Sequence, residues 1–256
     1  MSTGPSVVPA LVSRVRAPLR VPRPRPGRGG SFDHGPLAGL IAATSDGWSV
    51  DYRALGASPE LPAYLAALET ADPAALDRVG QIAFWINAYN ASTLSAVAER
   101  WPVATVFDIP GIFTSRRFHV AGRSLTLDDM EHGIARRLGD PRVHFGLNCG
   151  SVGCPPLRAY DDDAVAQLEA NGRRYLADAR RGARADGERV QLSRIFQWFG
   201  GDFLAGADAP SAWTTMLAAA RPARVLPAVR PYLPAPLTAA QRVGFLDYDW
   251  SVNGRS

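Results

Sequence analysis

Hydrophobic residues recur at helical spacing in two successive segments of the N-terminal half. Three leucines share one face of residues 58–71, behind a Ser-Pro pair that suits the first turn of a helix. Residues 76–100 are apolar on most of their surface, and Trp101-Pro102 ends the pattern. We therefore predict an amphipathic helix followed by a longer helix that is buried on several sides.

The pattern then changes to a short hairpin that leads into another helix. Residues 117–125 alternate around an Ala-Gly turn. A helix is expected over residues 126–138, because Thr126 and Asp129 match a capping box and Gly139 suits the helix exit.

Polar and apolar residues alternate over residues 142–148, which predicts a strand. Its apolar face would hold Val143, Phe145 and Leu147. His144 would lie on the opposite face. With a further capped helix and a C-terminal strand downstream, we predict a single, helix-rich α+β domain. Its small, mainly antiparallel sheet would carry His144 and the following loop at its edge.

The first 31 residues differ in composition from the rest of the chain. Residues 1–30 hold six arginines, six prolines and no acidic residue, which predicts a disordered tail over 1–31 and one domain over 32–256. The six arginines contribute more positive charge than the net charge of +4 of the whole chain. The residues after position 30 are therefore net negative and give no electrostatic reason to bind nucleic acid. No apolar run approaches the ~20 residues that span a membrane. We expect a cytoplasmic protein whose basic tail could contact a partner protein.

Four polar residues on the predicted helices are candidates for a site. Glu131 lies beside the buried face of its helix, where a carboxylate needs a partner, and His132 follows about 100° further round. A capping-turn glutamate beside a solvated histidine is the alternative. Asn87 and Asn90, three residues apart on the long apolar helix, would either hold a catalytic loop or clamp two helices together.

The two cysteines of the chain, Cys149 and Cys154, follow His144 closely. On an extended strand, His144 and Cys149 would be about 16 Å apart. Glycines between the cysteines permit a reversal that brings Cys154 back beside His144, which leaves His132 as the histidine available to Cys149. Either pairing would give a thiolate activated by an imidazole. Free backbone N–H groups after Cys149 would stabilise an oxyanion.

The same loop has two other interpretations. Two inert, buried thiols in a turn fixed by Pro155-Pro156 would need no chemistry. A zinc site would have suitable ligand types at unusual spacing, namely His132, His144, Cys149 and Cys154.

Five segments of the chain carry a resemblance to a known family. They are AFWINAYNA (83–91), LTLDDMEHGI (125–134), DPRVHFGLNCGSVGCPPL (140–157), LSRIFQWFGGDF (192–203) and FLDYDWSVN (245–253). Together they resemble the family called domain of unknown function 547, which occurs in bacteria and, beside a coiled-coil region, in plants. The resemblance covers residues 50–253. Its shared positions are Trp85, Asn87, Tyr89, Asn90, Glu131, His132, Asp140, Arg142, His144, Cys149, Cys154, Pro155 and Trp198.

By residue type, the cysteine, histidine and acid or amide set is similar to that of papain-like and transglutaminase-like enzymes. The analogy implies a distant likeness of fold as well as of chemistry. One departure matters, because both histidines precede the cysteines here, as in circularly permuted relatives of those enzymes.

The leading hypothesis is a cysteine-dependent hydrolase or acyltransferase that acts on an amide or ester in a small molecule or peptide, without a metal or other cofactor. The nucleophile would be Cys149 or else Cys154. The base would be His132 or His144, oriented by Glu131 or an asparagine. The supporting residues would be Asn87, Asn90 and Arg142. The alternatives are a non-enzymatic protein-interaction module with a structural cysteine loop, and a zinc-binding protein.

Overall fold

The structure, a computed structural model, describes residues 21–205, 221–239 and 242–255. Its α-helices are α1 (Gly35–Thr44), α2 (Tyr52–Ala57), α3 (Glu60–Thr70), α4 (Arg78–Ala98), α5 (Ala164–Ala177), α6 (Ile195–Trp198), α7 (Gly200–Ala205) and α8 (Leu226–Val229). Its strands are β1 (Phe118–Val120), β2 (Arg123–Leu125), β3 (Ala183–Asp186), β4 (Arg189–Leu192) and β5 (Arg242–Phe245). None of the helices within these ranges combines the length and apolar character that crossing a membrane requires.

The long helix α4 forms the centre of the core, and α3 packs beside it. The side chain of Asp77 caps α4 by accepting a hydrogen bond from Gly80 N at 2.8 Å. Residues 81–94 are all buried, so this helix is covered on every side. Both helices predicted from the apolar spacing are therefore confirmed.

The strands form two small sheets. In the first, β1 and β2 pair antiparallel around Ala121-Gly122, which confirms the predicted hairpin. In the second, β4 pairs antiparallel with β3 and parallel with β5. The helix-rich α+β class is confirmed and two of the three strand pairings are antiparallel. The strands lie in two separate sheets, however, where a single sheet was predicted.

The segment predicted as an α-helix over 126–138 changes its winding part-way. Its capping box is present, since Thr126 N donates to Asp129 Oδ2 and Asp129 N donates to Thr126 Oγ1, each at 3.0 Å. A π-helical turn then spans Asp129–Ile134, and a 3₁₀ turn spans Ala135–Leu138. Gly139 ends the segment with φ +76°, as its position predicted.

The strand predicted over 142–148 is wrong. Pro141–Phe145 is a 3₁₀ helix, which begins because the Asp140 carboxylate accepts from Arg142 N at 3.0 Å and Pro141 suits the first turn. Residues 143–148 are buried without exception, so their alternation did not report an inner and an outer face. His144 therefore lies on a buried helical turn and not at a sheet edge.

The tail expected over 1–31 falls partly on residues 1–20, which lie outside the described residues, as do three of the six arginines of the tail expected to contact a partner. The described part contacts the domain. Val21 is buried and its carbonyl accepts from Arg137 Nη1 at 2.7 Å, while Gly27 N donates to Leu76 O at 2.7 Å. The packed chain thus begins before the expected start at residue 32.

Candidate functional site

Cys149 and Cys154 face each other across the loop that follows the 3₁₀ helix. Their Sγ atoms are 3.1 Å apart, and Cys149 N donates to Cys154 Sγ at 3.1 Å. Both are free thiols. Cys154 is buried, whereas Cys149 is partly exposed. The loop therefore pairs two sulfur atoms, one on a buried residue and one on a partly exposed residue.

Two hydroxyl groups complete this arrangement. Ser151 Oγ lies 3.2 Å from Cys149 Sγ and 3.3 Å from Cys154 Sγ. Tyr248 Oη lies 3.3 Å from Cys154 Sγ and accepts from Ser151 Oγ at 3.1 Å. We call Cys149, Ser151, Cys154 and Tyr248 the thiol cluster.

The thiol cluster favours one negative charge, held at Cys154. Burial opposes ionisation of Cys154, but hydrogen bonds from Cys149, Ser151 and Tyr248 outweigh it and lower the pKa to about 6. The hydrogen bond to Cys154, with burial, raises the pKa of Cys149. Burial and the two cysteines raise the pKa of Tyr248 well above its usual value, so its phenol remains a hydrogen-bond donor. The two cysteines thus differ in the direction of their pKa shifts, and Cys154 is the more acidic of the two.

The loop reverses where the sequence permits it. Gly150 has φ +82°, and a Cβ on it would lie 3.2 Å from Val97 Cγ2. Asn148 stabilises the turn from within, because its Oδ1 accepts from Gly150 N at 2.9 Å and its Nδ2 donates to Pro155 O at 2.8 Å. The glycine and the asparagine together fix where the cysteines meet.

The C-terminal segment 248–251 forms hydrogen bonds with the cysteine loop and places Tyr248 next to Cys154. Val152 N donates to Ser251 O at 2.8 Å, and Gly153 N donates to Asp249 O at 2.9 Å. A Cβ on Gly153 would lie 2.9 Å from the Tyr248 ring, so the absence of a side chain there admits the tyrosine. Residues almost a hundred positions apart in the chain thus form one cluster.

The backbone N–H groups expected to be free for an oxyanion are mostly occupied. Of the six from residues 149 to 154, five donate within the protein, to Cys154 Sγ, Asn148 Oδ1, Ser251 O, Asp249 O and Ser151 O. The acceptors belong to the turn itself and to the C-terminal segment that contains Asp249 and Ser251. The expectation of a freely available set of backbone donors is therefore wrong.

Asn87 and Asn90 bind the backbone on either side of the cysteine loop. Asn90 donates to Gly146 O at 2.9 Å and accepts from Asn148 N at 2.8 Å. Asn87 donates to Tyr160 O at 2.7 Å and accepts from Tyr160 N at 3.0 Å. Both side chains are fully buried, so α4 holds the entry and the exit of the loop at two fixed points.

His144 belongs to a buried ionic network. Its Nε2 lies 2.8 Å from Asp202 Oδ2, and Arg136 donates two hydrogen bonds of 2.7 Å to the same carboxylate. Its ring stacks on Phe199 with centroids 4.2 Å apart. Burial opposes ionisation of Asp202, but hydrogen bonds from Arg136 and His144 hold its pKa well below the usual range.

His132 lies at the edge of the same network. Its Nδ1 is 3.3 Å from Arg136 Nη1 and 3.6 Å from Glu131 Oε1, and its Nε2 is 3.9 Å from Asp128 Oδ1. The ring is 6.1 Å, centroid to centroid, from that of Phe199, on which His144 stacks. The π-helical turn thus directs Glu131 and His132 towards the arginine.

The structure brings the two cysteines together and gathers the two histidines elsewhere. Among the hydrogen bonds between described residues, none joins a cysteine to a histidine. Burial, followed by the charges of Glu131 and both cysteines, raises the pKa of Tyr89 well above its usual value. The four residues considered for zinc do not form a ligand cluster within the part of the chain described.

Arg142 forms ion pairs with carboxylates and not with any cysteine or histidine considered for the site. It makes a two-fold hydrogen bond to Asp140 at 2.9 and 2.7 Å and a third to Glu169 at 2.7 Å. It joins the start of the 3₁₀ helix to α5 and so contributes through the position of the backbone.

A row of aromatic rings leads away from the thiol cluster. The Tyr248 ring lies 5.0 Å from that of Trp198 and 4.5 Å from that of Trp250, and Phe107 is 4.8 Å from Trp250. We call Trp198, Tyr248, Trp250 and Phe107 the aromatic row. Its outer member, Phe107, is 39% exposed.

Comparison with known proteins identifies the family. A family model described as "Protein of unknown function, DUF547" matches residues 73–176. This segment belongs to the DUF547 family. The family predicted from the sequence is therefore confirmed, and the matched range contains the eight predicted site residues: Asn87, Asn90, Glu131, His132, Arg142, His144, Cys149 and Cys154. No curated protein and no solved structure matches the chain.

Three functional candidates were missed by the sequence analysis. Ser151 lies between the cysteines as one of many serines, and nothing in its spacing marks it. Tyr248 and Asp202 lie outside the DUF547 match, in the segments 245–253 and 192–203. The sequence did contain a signal for Asp202, which directly follows Gly-Gly in an aromatic segment. A carboxylate buried in such a segment needs a cationic partner, so Asp202 was a candidate for an ion pair.

Proposed function

We propose that the protein is a cysteine-dependent hydrolase or acyltransferase that acts on an ester or amide, with Cys149 as its nucleophile. The main support for this proposal is the 3.1 Å contact between Sγ of the partly exposed Cys149 and Sγ of the buried Cys154. A partly exposed cysteine thereby touches the more acidic of the two sulfur atoms. This is the relation of a nucleophile to its base.

In this proposal Cys154 takes the part that the sequence analysis gave to a histidine. The Cys154 thiolate accepts the proton of Cys149 as Cys149 Sγ attacks the carbonyl carbon. A C–S bond forms, and the C–O or C–N bond to the leaving group breaks as that group takes the proton from Cys154. Water or an acceptor alcohol or amine then cleaves the thioester and returns Cys149 to its thiol.

We propose that the hydroxyl groups of Ser151 and Tyr248 turn their protons from their present partners towards the developing oxyanion, once Cys154 has taken the proton of Cys149. Ser151 Oγ lies 3.2 Å from Cys149 Sγ, within reach of a carbonyl oxygen bound at that sulfur. Tyr248 keeps its proton because burial and the neighbouring cysteines raise its pKa. These two side chains would supply what the occupied backbone N–H groups cannot.

The aromatic row suggests the kind of acyl group. It begins at Tyr248, in contact with the thiol cluster, and ends at the exposed ring of Phe107. We therefore infer an apolar or aromatic acyl portion, bound along Trp250. A cytoplasmic location is proposed with this function, because a reducing compartment keeps both thiols available.

The proposal is tested with chromogenic aryl esters and intact-protein mass spectrometry. Wild-type protein should form a covalent acyl adduct on Cys149, and Cys149→Ser should lose adduct and turnover. Cys154→Ser should slow acylation by about 100-fold, the usual contribution of a general base. Phe118→Ala, which alters a half-buried ring on β1, is the control and should react as wild type. Turnover that survives in Cys149→Ser would overturn the proposal.

A further inference from the structure

The same cysteine pair has the geometry of a redox couple. A disulfide bond is about 2.05 Å long, so the sulfur atoms, 3.1 Å apart, need to approach by only about 1 Å. The turn already directs them at each other, because Cys154 N donates to Ser151 O at 3.1 Å and closes the reversal. The chain has two cysteines, so no third thiol competes for either sulfur.

The geometry points to a second activity, independent of acyl transfer: Cys149 and Cys154 form and release an intramolecular disulfide by exchange with a low-molecular-weight disulfide. The difference in exposure sets the order of the steps. Cys149 is the more exposed residue and receives the incoming disulfide, whereas Cys154 is only 3% exposed and acts second.

The exchange balances without a further oxidant. Cys149 Sγ attacks one sulfur of oxidised glutathione as its proton passes to Cys154 Sγ, which forms a mixed disulfide and releases the first glutathione thiolate, and that thiolate takes the proton from Cys154. Cys154 Sγ then attacks Cys149 Sγ, the mixed S–S bond breaks, and the second glutathione thiolate leaves. Counted from the dithiol, the protein loses two protons and two electrons, and oxidised glutathione becomes two molecules of reduced glutathione.

The hydroxyl groups of the thiol cluster bias this equilibrium towards the dithiol. Ser151 and Tyr248 stabilise the thiolate, which exists only in the reduced form. Stabilising the reduced form makes a disulfide more oxidising. The disulfide should therefore be labile and suited to exchange, unlike a structural cross-link.

The test equilibrates the full chain with mixtures of reduced and oxidised glutathione, blocks free thiols with an alkylating reagent, and measures intact mass. Wild-type protein should lose the mass of two hydrogen atoms without gaining glutathione. Cys154→Ser should accumulate one glutathione on Cys149, because the second attack is lost. Cys149→Ser should gain glutathione at least tenfold more slowly, because Cys154 is buried. Tyr248→Phe should form the disulfide at a several-fold lower ratio of oxidised to reduced glutathione.

Wild-type protein that keeps both thiols in excess oxidised glutathione would overturn the inference, and so would two separate glutathione adducts. Circular dichroism of each variant checks that it folds. No substrate enters this experiment, so its outcome is distinct from that of the acylation test. A disulfide without an acyl adduct would remove the proposed function alone, and an adduct without a disulfide would remove this inference alone.

Discussion

His144 Nε2 and Asp202 Oδ2 meet at 2.8 Å across 58 residues of sequence, and both side chains are buried. With Arg136 on the same carboxylate, they join the 3₁₀ helix that precedes the cysteine loop to α7. A histidine considered as a catalytic base thus has an ionic partner of its own. This ionic network holds the segment before the cysteine loop in place. Its contribution to the free energy of unfolding can be measured.

Asp202→Asn should lower the free energy of unfolding by about 3 to 5 kcal/mol, because it removes the charged partner that accepts two hydrogen bonds from the buried Arg136 guanidinium. Urea denaturation measures the change. Asp247→Asn, at an exposed aspartate 3.3 Å from Arg194, is the matched control and should be nearly neutral. Equal effects of the two variants would contradict a stabilising network.

The Asp202 effect should depend on pH in a defined direction. Its pKa in the folded protein is well below the value of about 3.9 expected when unfolded. The stabilisation is therefore complete above about pH 4 and is lost as the pH falls towards the folded value. The difference between wild type and Asp202→Asn should shrink only in strong acid. A difference that already vanishes at pH 5 would exclude this carboxylate as its source.

His34 should make stability depend on pH in a separate window. Burial lowers its pKa to about 4, despite the opposing charges of Asp33 and Asp161, and its Nδ1 lies 2.7 Å from Tyr64 Oη. Between about pH 6.5 and 4 the unfolded chain binds a proton that the folded protein does not. Stability should thus fall by up to about 3 kcal/mol as the pH is lowered through this range.

Unfolding free energies of His34→Gln at several pH values test that dependence, which the substitution should remove. His119→Gln, at an exposed histidine on β1, should keep the wild-type slope. If His34→Gln retains the slope, another group is responsible.

Tyr248→Phe should raise the apparent pKa of the reactive thiolate, because it removes one of the donors that lower the pKa of Cys154 to about 6. The rate of alkylation by iodoacetamide as a function of pH measures it. We expect the midpoint to move upwards by about one unit. Tyr232→Phe, at a half-buried ring that packs on Phe145, is the control and should leave the profile in place. Cysteines that resist labelling until the protein is denatured would argue against any nucleophilic role.

Predictions from the sequence were correct for elements that neighbouring residues specify. They were wrong where contacts between residues far apart in the chain decide the structure. The capping box at Thr126 and the apolar surface of α4 act within a few residues, so both were read correctly. The segment 142–148 misled because a fully buried segment can alternate by chance. The Asp140-Pro141 start signal was the better guide to its 3₁₀ helix.

The candidate site shows the same difference between features set by neighbouring residues and features set by contacts between distant residues. Cysteine spacing and glycines located the loop, and the reversal was expected because the glycines permit it. The partners came from far along the chain, Tyr248 to the sulfur atoms and Asp202 to His144. Pairing by sequence proximity favoured cysteine with histidine, whereas the fold pairs cysteine with cysteine and histidine with aspartate. Only tertiary packing decides between these two arrangements.

Gly153→Ala should reduce the reactivity of the thiol cluster without touching a reacting group. The new Cβ would lie 2.9 Å from two atoms of the Tyr248 ring, so the ring must move away and its hydroxyl must leave Cys154. We expect slower alkylation near neutral pH and a higher midpoint, in the direction of Tyr248→Phe. Gly39→Ala is the control, because its Cβ would meet nothing within 4 Å on α1 and should stabilise the helix by about 0.5 to 1 kcal/mol. Unchanged alkylation in Gly153→Ala would mean that Tyr248 does not tune the thiolate.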